Sequence, residues 1–225
     1  MNAYNKFIVV MVALFISTCI NAQDDKKINF QIRGGMNVSN MSESDDHYWA
    51  TGDAKIGYNI GTAVYFPIGK GMYVHTGLGL TSKGAEFDSF DYDFDNVDIF
   101  RTKLKMNAVY LQMPLYFGYK LDFSKFGKGW DNKLGVSAGP YVGYGIFGKT
   151  KLDSRHGSID DELDTFDLLN RLEIGLGVEA TFELKQLVFF MGTDVSLTNV
   201  MKSKYRYDDE HISHNNFYFG IGYSF

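Results

Sequence analysis

The chain has 225 residues and a formal net charge of −5, with 27 acidic and 22 basic residues, a length sufficient for one domain of ordinary size. The lack of a basic excess argues against nucleic acid or an anionic membrane surface as the main partner. The one cysteine, Cys19, cannot form a disulfide within the chain, and it excludes a thiolate metal site built from several cysteines.

The N-terminus has the pattern of an export signal. Lys6 supplies a positive charge, an apolar run follows from Phe7 to Ile16, and the small residue Ala22 precedes Gln23. The run is too short to span a bilayer as a helix, which needs about 20 apolar residues. Lipidation of Cys19 is the alternative, although the residues before it depart from the usual lipoprotein pattern. We therefore predict a signal peptide over 1–22 and a single mature domain over 23–225 that contains no cysteine.

The composition of the mature chain favours strands. The sequence contains 24 Gly, 15 Tyr and 19 Phe but only 3 Pro, and Pro is the residue that cannot donate a hydrogen bond within a sheet. No later segment contains the 18 or so consecutive apolar residues that a transmembrane helix needs. If this chain spans a membrane, it must therefore do so as a closed β-barrel.

Alternation of apolar and polar or small residues with a period of two recurs along the chain. In the first such segment, Ile28, Phe30 and Ile32 alternate with Asn29 and Gln31. The predicted strands, in chain order, cover residues 28–38, 55–68, 72–83, 107–121, 133–147, 167–183, 187–198 and 215–225. One face of each strand is mostly apolar, and the other mixes Gly with charged residues.

The connections between these strands alternate in length. Residues 39–54, 84–106, 148–166 and 199–214 form long connections, whereas 69–71 and 184–186 are short and 122–132 is intermediate. Outer-membrane barrels combine long outer loops with short periplasmic turns. We predict an all-β, eight-stranded, antiparallel up-and-down transmembrane barrel with both termini in the periplasm. A soluble barrel or sandwich is the alternative, but it would turn the charged face outward.

Three stretches carry a family resemblance. Residues 110–115 read Y-L-Q-M-P-L, residues 139–143 read G-P-Y-V-G, and Arg171 begins the run R-L-E-I-G-L-G-V. With the terminal Phe225, they resemble the Bacteroidetes outer-membrane β-barrel family labelled PorT-like or "porin family". The resemblance implies the barrel fold, an outer-membrane location and an assembly signal at Phe225. A secretion-accessory role would follow from it only by analogy.

The predicted outer loops are rich in acidic residues. The densest run, from Asp91 to Asp98, resembles a calcium-binding loop, but Asn96 stands where an EF-hand requires Gly and Thr102 where it requires Glu. We interpret this run as a solvated loop. Weak divalent-ion contact near lipopolysaccharide phosphates is the alternative.

Two histidines, His211 and His75, are candidate catalytic or binding residues. His211 and Ser213 have the spacing of some outer-membrane lipid hydrolases, but no carboxylate follows Ser213 to orient the imidazole. His75 is predicted to face the interior as a hydrogen-bonded residue rather than a ligand. Neither pattern predicts an enzyme, and the sequence indicates no cofactor or metal.

Parity places several charges on the inner face of the barrel, where they are costly unless paired. At one height we expect Arg33 to bond to Glu179, Asp194 or both. Farther from the periplasmic ends of the strands we expect Arg171 and Glu173, with Lys55 or Lys83 as partners. Nearer to those ends we expect Lys120 and Glu183. Aromatic residues near the strand ends are expected to form an interface girdle: Phe30, Phe66, Tyr119, Phe182, Tyr223 and Phe225.

The sequence therefore predicts an integral outer-membrane barrel with a structural, adhesive or secretion-accessory role. An eight-stranded barrel has an interior that side chains can fill, which argues against a wide pore. A lipid-modifying hydrolase and a small solute channel are the alternatives. The expected partners are outer-membrane lipids and lipopolysaccharide, the barrel assembly machinery, and envelope or secretion-system proteins.

Overall fold

The computed structural model describes residues 28–43, 53–93, 98–123, 132–154, 163–205 and 211–225. The predicted signal peptide over 1–22 lies outside these residues, as do 94–97 of the acidic run. Within the described chain, no helix is long and apolar enough to cross a membrane. The elements, in order, are β1 (Asn29–Glu43), β2 (Lys55–Gly69), β3 (Met72–Thr76), β4 (Gly79–Asp93), β5 (Asp98–Asp122), β6 (Asn132–Ser154), β7 (Leu163–Asp164), α1 (Thr165–Leu168), β8 (Leu172–Leu184), β9 (Leu187–Ser196) and β10 (Ile212–Ser224).

The strands close into an antiparallel ring. The pairing runs in order from β2 through the β3 and β4 position to β5, β6, β8, β9 and β10, and β1 pairs with both β2 and β10, so that the first and last strands complete the ring. β3 and β4 occupy one position, since both lie between β2 and β5 in the same register. The two-residue β7 lies beside β6 at Lys149 and Thr150, beyond the part of β6 that pairs with β8. The predicted eight-stranded up-and-down barrel is confirmed.

Tight turns join the strands at the end of the barrel where Ile28 and Phe225 lie, which we call the near end. Gly69, Lys70 and Gly71 join β2 to β3 with φ angles of 121°, 48° and 84°. Lys185, at φ 56°, lies in the turn between β8 and β9. Such left-handed conformations let a chain reverse direction within very few residues. The opposite end of the barrel is the far end.

The two faces of the wall follow the predicted parity. Ile56, Leu115 and Ile221 point outward and are more than half exposed, whereas Arg33, Glu179 and Asp194 point inward and are buried. Alternation along a strand puts successive side chains on opposite faces. A mostly apolar outer face and a polar inner face are the reverse of a soluble barrel, so that alternative is wrong.

Three strands are much longer than predicted at the far end. β5 has 25 residues and β6 has 23, whereas about 9–11 residues suffice to cross a bilayer as a tilted strand. The β4–β5 ladder continues to Asp93 opposite Asp98, and β5 still pairs with β6 at Thr102 and Ser154. Much of the predicted 84–106 loop, including the ends of its acidic run, is therefore an extended hairpin.

The predicted strand over 167–183 begins too early. Residues 165–168 form the single helical turn α1, and β8 starts at Leu172. The Asp164 side chain caps this turn by accepting a hydrogen bond of 2.9 Å from the backbone N–H of Phe166. The Asp164 cap thus stabilises a helical turn at residues 165–168, where the apolar pattern alone does not distinguish a helix from a strand.

Two prolines interrupt the hydrogen-bond ladder in the middle of the wall. No pairing joins Gly77 and Leu78 to Met113 and Pro114, although the register is the same on both sides of this gap. The β5–β6 ladder likewise skips the pair of positions opposite Pro140. Proline has no N–H to donate, which accounts for both gaps.

Candidate functional site in the barrel lumen

The centre of the lumen is organised around Arg33. Its Nη1 donates to both carboxylate oxygens of Glu179, at 2.9 and 2.8 Å, and its Nε donates to Oε1 of Gln31 at 3.0 Å. Its Nη2 contacts the hydroxyl of Tyr65. Both members of the ion pair are less than a tenth exposed. The expected contact between Arg33 and Glu179 is therefore present, across the barrel from β1 to β8.

A second pair lies nearer the near end. Lys120 donates from Nζ to Oε1 of Glu183 at 2.6 Å, and Gln31 donates to the same oxygen at 3.1 Å. The ammonium group also lies 4.6 Å from the centre of the Tyr65 ring, within the range of a cation–π interaction. Gln31 thus links the two pairs into one continuous network. Lys120 and Glu183 lie nearer the near end than Arg33, as expected from their positions along the strands.

A third group lies towards the far end, around Glu173. Its Oε1 accepts from Nζ of Lys83 and from the hydroxyl of Tyr141, both at 2.6 Å, and its Oε2 lies 2.7 Å from Nδ1 of His214. All of these side chains are almost fully buried. Of the two lysines expected as partners for Glu173, the structure selects Lys83. Lys55 instead reaches the carbonyl of Met106, at 3.4 Å.

Asp194 differs from the other inner carboxylates. Its two oxygens accept hydrogen bonds from Nε2 of Gln112 at 2.7 Å and from the hydroxyl of Tyr116 at 2.8 Å. Within the described ranges, no lysine or arginine lies at ion-pair distance from it. Of the two partners expected for Arg33, Glu179 is therefore the one it contacts.

We call these inner charges the lumen belt. Its members are Arg33, Lys83, Lys120, Glu173, Glu179, Glu183 and Asp194.

Arg171 was predicted to join Glu173 in this network, and that prediction is wrong. Arg171 lies just before β8, is about a third exposed, and binds Asp164 at 3.1 Å. It also donates to the carbonyls of Gly145 and Ile146. Residue 171 precedes β8, so the alternation of inward and outward side chains along that strand does not determine where Arg171 points. Its guanidinium covers the Phe166 ring from 4.5 Å instead.

Glycines on the inner wall provide the space for tyrosine rings. A Cβ placed on Gly177 would collide with the Tyr116 hydroxyl, at the point where that hydroxyl meets Asp194. A Cβ on Gly192 would lie 2.5 Å from the Tyr218 ring, a distance that real side chains do not tolerate. The inner glycines and tyrosines therefore fit together as pairs. Tyr116 alternates with the exposed Leu115 and Phe117 and so faces inward, but only a register across strands identifies its partner.

Above the lumen belt, the far end is filled by apolar side chains. We call this cluster the apolar plug; it comprises Met41, Ala85, Met106, Ala108, Tyr110, Phe166, Leu169, Val200 and Ile212, all nearly fully buried. Phe166 comes from α1, which folds into the mouth, and its ring meets Tyr110 at a centroid distance of 5.7 Å. The connection between β6 and β8 therefore contributes side chains to the interior.

A small, partly open cavity beside β2 and β4 reaches into the lumen belt. It measures about 90 Å³ and is lined by Arg33, His75, Gln112, Glu179 and Asp194, among others. At roughly 30 Å³ per molecule, this is room for about three waters. His75 packs between the rings of Tyr65 and Tyr116, and its Nδ1 lies 4.0 Å from Glu179. It faces inward as predicted, but ring packing rather than hydrogen bonding holds it.

Comparison with known proteins supplies the family. The sequence profile described as "outer membrane protein beta-barrel domain" matches residues 21–202. The chain belongs to this family. Its fold and its outer-membrane location follow from that membership. No curated protein sequence matches the chain.

Solved structures similar to this outer-membrane barrel are also barrels of the outer membrane. The attachment invasion locus protein Ail of Yersinia pestis is 15% identical, with a TM-score of 0.41, over 89% of this chain and all of the other. Neisserial surface protein A is 9% identical, with a TM-score of 0.41 and the same coverage. OprG of Pseudomonas aeruginosa is 14% identical, with a TM-score of 0.37, over 89% of this chain and 97% of its own.

The outer wall of the membrane barrel carries the predicted aromatic residues at its near end. Phe30 lies against Phe225 with ring centroids 5.8 Å apart, and Tyr223 meets Phe225 at 5.0 Å. Phe225 is exposed, and its backbone N–H donates to the carbonyl of Phe30 at 2.9 Å. The C-terminal residue is thus tied to the first strand beside an exposed aromatic surface.

His211 and Ser213 lie where β10 begins, at the far end of the outer-membrane barrel. The Ser213 hydroxyl lies 3.2 Å from Nδ1 of His211, and Nε2 lies 3.0 Å from the carbonyl of Leu197. If Nε2 carries the proton and donates it to that carbonyl, Nδ1 is free to accept from the serine. The acids Asp208, Asp209 and Glu210 lie outside the described residues.

Proposed function

We propose that this outer-membrane barrel is a non-conducting envelope protein whose far end serves a structural or adhesive role at the cell surface. The observation that carries the proposal is the filled lumen: cross-barrel ion pairs occupy its middle, and the apolar plug occupies its far end. A pore needs a continuous water-filled path. The interior of an eight-stranded barrel is narrow enough for side chains to fill, which leaves little space for such a path.

Conductance in planar bilayers tests this proposal. We expect the purified wild-type protein to give no steady ion conductance. Replacing both Arg33 and Glu179 with Ala enlarges the middle of the lumen, but the apolar plug still fills the far end, so this variant should also give no steady conductance. Leu176→Ala on the outer face is the matched control and should stay silent. Steady steps from the wild type would overturn the closed-lumen proposal in favour of a small solute channel.

The long strands support a surface role for the far end. β4, β5 and β6 continue as a paired three-stranded sheet well past the length that a bilayer requires. Such a sheet offers a partner both a face and an edge. We place this end outside the cell and both termini in the periplasm, because short periplasmic turns and longer outer segments are typical of these barrels.

Accessibility of single cysteines tests this orientation. Lys204→Cys lies in the exposed turn Ser203–Tyr205 at the far end, and Lys185→Cys lies in the exposed near-end turn. A membrane-impermeant maleimide should label the first in intact cells and the second only after the cells are opened. The opposite pattern would reverse the orientation. If Lys204→Cys is labelled in intact cells, crosslinking from this position would identify surface partners, including any envelope or secretion-system protein.

Further parts of the proposal concern export and assembly. We propose that residues 1–22 are removed on export, that the barrel assembly machinery recognises Phe225, and that outer-membrane lipids and lipopolysaccharide surround the apolar wall. N-terminal sequencing of the mature protein checks the first point. Phe225→Ala should lower the amount of heat-modifiable barrel in the outer membrane, whereas Tyr223→Ala is its neighbouring aromatic control.

Lipid hydrolysis is a second candidate function, favoured by the contact between Ser213 and His211. The serine would attack an ester carbonyl while His211 accepts its proton, and the imidazolium would return that proton to the alcohol that leaves as the ester C–O bond breaks. Water would then hydrolyse the acyl-serine and release the fatty acid. Wild type and Ser213→Ala would each be incubated with phospholipid and lipopolysaccharide. Product that appears with the wild type and not with the variant would establish this activity, and identical lipid profiles would exclude it.

A further inference from the structure

The inner wall of the barrel carries an unbalanced charge. Three inner carboxylates each contact one lysine or arginine. The pairs are Glu173 with Lys83, Glu179 with Arg33 and Glu183 with Lys120. Asp194 is a fourth carboxylate, only 1% exposed, and no cation of the described chain pairs with it. Among the lumen belt residues, four carboxylates accompany three lysine or arginine side chains, so the belt has one carboxylate in excess.

Two hydrogen bonds from neutral groups do not offset the cost of burying such a charge. Burial of an ionised carboxylate away from water is tolerated when a counter-charge or a metal ion accompanies it. Gln112 and Tyr116 each donate one hydrogen bond to Asp194, so both carboxylate oxygens retain a free lone pair. Asp194 can therefore accept a positively charged ligand at either carboxylate oxygen.

The cavity beside Asp194 supplies the second, independent observation. Gln112 also lines it, and the Oε1 atom of Gln112 is buried with no hydrogen-bond partner in the described chain. This oxygen belongs to the same amide group whose nitrogen binds Asp194. A carboxylate and an amide carbonyl are the ligand types that hard cations prefer.

We propose that this cavity binds one alkali metal cation, held by the carboxylate of Asp194 and by Oε1 of Gln112. One unit of positive charge neutralises the excess carboxylate, whereas a divalent ion would leave the lumen belt positive. The 90 Å³ cavity holds the cation with about two waters. The described residues contain no group of three or more His, Cys, Asp or Glu able to hold a metal ion through such side chains alone. A single carboxylate with neutral oxygens instead fits sodium or potassium.

The bound cation would act as part of the closed lumen. Arg33 lines the same cavity, but Glu179 neutralises its charge at 2.8 Å, which leaves Asp194 as the attractive group. The ion would thus complete the lumen belt at the level of Gly177, between the Glu173 group and the Arg33 pair.

Urea unfolding in detergent micelles tests the site with three salts of equal concentration: sodium chloride, potassium chloride and N-methylglucamine chloride. A ligand that binds the folded state raises the folding equilibrium constant tenfold for each tenfold rise in its concentration above its dissociation constant. We expect this dependence with sodium, potassium or both, and not with N-methylglucamine. The cation that gives it at the lower concentration is the preferred occupant.

Asp194→Asn should abolish the difference between the salts, because it removes the excess charge. Arg171→Met, at the exposed rim, is the matched control and should keep the dependence. If the wild type unfolds identically in all three salts, the proposal is overturned. An identical response accompanied by greater stability at low pH would assign the balancing charge to a proton instead. Because the wild-type series alone decides between these outcomes, the test survives a failure of Asp194→Asn to fold.

Discussion

The lumen belt and the apolar plug close the same barrel by different means. In the lumen belt, buried charges meet across the interior in specific pairs, such as Arg33 with Glu179 at 2.8 Å. In the apolar plug, residues such as Phe166 and Leu169 fill the far end through contact without directional bonds. Charged pairs are costly to break one partner at a time, whereas apolar packing tolerates change in proportion to the volume removed.

The difference follows from where the side chains originate. Lumen belt residues lie on strands inside the ring, so that alternation fixes their direction. Phe166 and Leu169 come from α1 and the residue after it, in a connection that folds back into the mouth. The belt is therefore part of the wall, and the plug is partly an addition to it.

The largest expected effect comes from breaking one member of the central pair. Arg33→Met leaves Glu179 buried without its cation and should cost about 3–5 kcal/mol of unfolding free energy. The double variant Arg33→Met with Glu179→Gln should recover part of this loss, because no unpaired charge remains. Urea unfolding in detergent gives both values. Arg171→Met is the control, since an exposed pair contributes at most about 1 kcal/mol. A double variant less stable than the single one would refute the pairing.

Truncation in the apolar plug should have a smaller and more local effect. Phe166→Ala removes a buried ring that packs on Tyr110, and we expect a loss of about 3 kcal/mol, at the low end for buried Phe. Conductance should remain absent, because the lumen belt still closes the barrel beneath the plug. Both quantities can be measured on one preparation. Steady conductance by this variant would show that the plug, and not the lumen belt, is the barrier.

The smallest effect concerns the space that glycines leave in the wall. Gly177→Ala would push a methyl group into Tyr116 and Asp194, and overpacking of this kind costs about 1–3 kcal/mol. Gly34→Ala is the matched control on the outer face, where an added Cβ meets nothing within 4 Å. Thermal unfolding in detergent compares the two. Equal behaviour would mean that the inner tyrosines are free to move aside.

The strand positions and their faces could be derived from the sequence, because alternation is a local property. Ile32, Arg33 and Glu179 needed no tertiary information to be assigned outward or inward. The same local rule failed at Arg171, because parity holds only for residues within the ring. It also failed at Asp167 and Leu168, which the alternation assigned to a strand, because the Asp164 cap sets a helical turn there.

Which inner residues meet was decided only by the tertiary structure. Height along a strand left Arg33 with two candidate partners, and the stagger between strands brought it to Glu179. The same stagger set Asp194 beside Gln112 and Tyr116, over the space that Gly177 leaves open. The sequence by itself determined a barrel with an apolar outer wall and a charged interior, since each follows from neighbours along the chain. The charge pairs, the apolar plug and the unpaired Asp194 depend on contacts across the barrel, and a one-dimensional pattern contains no distance of that kind.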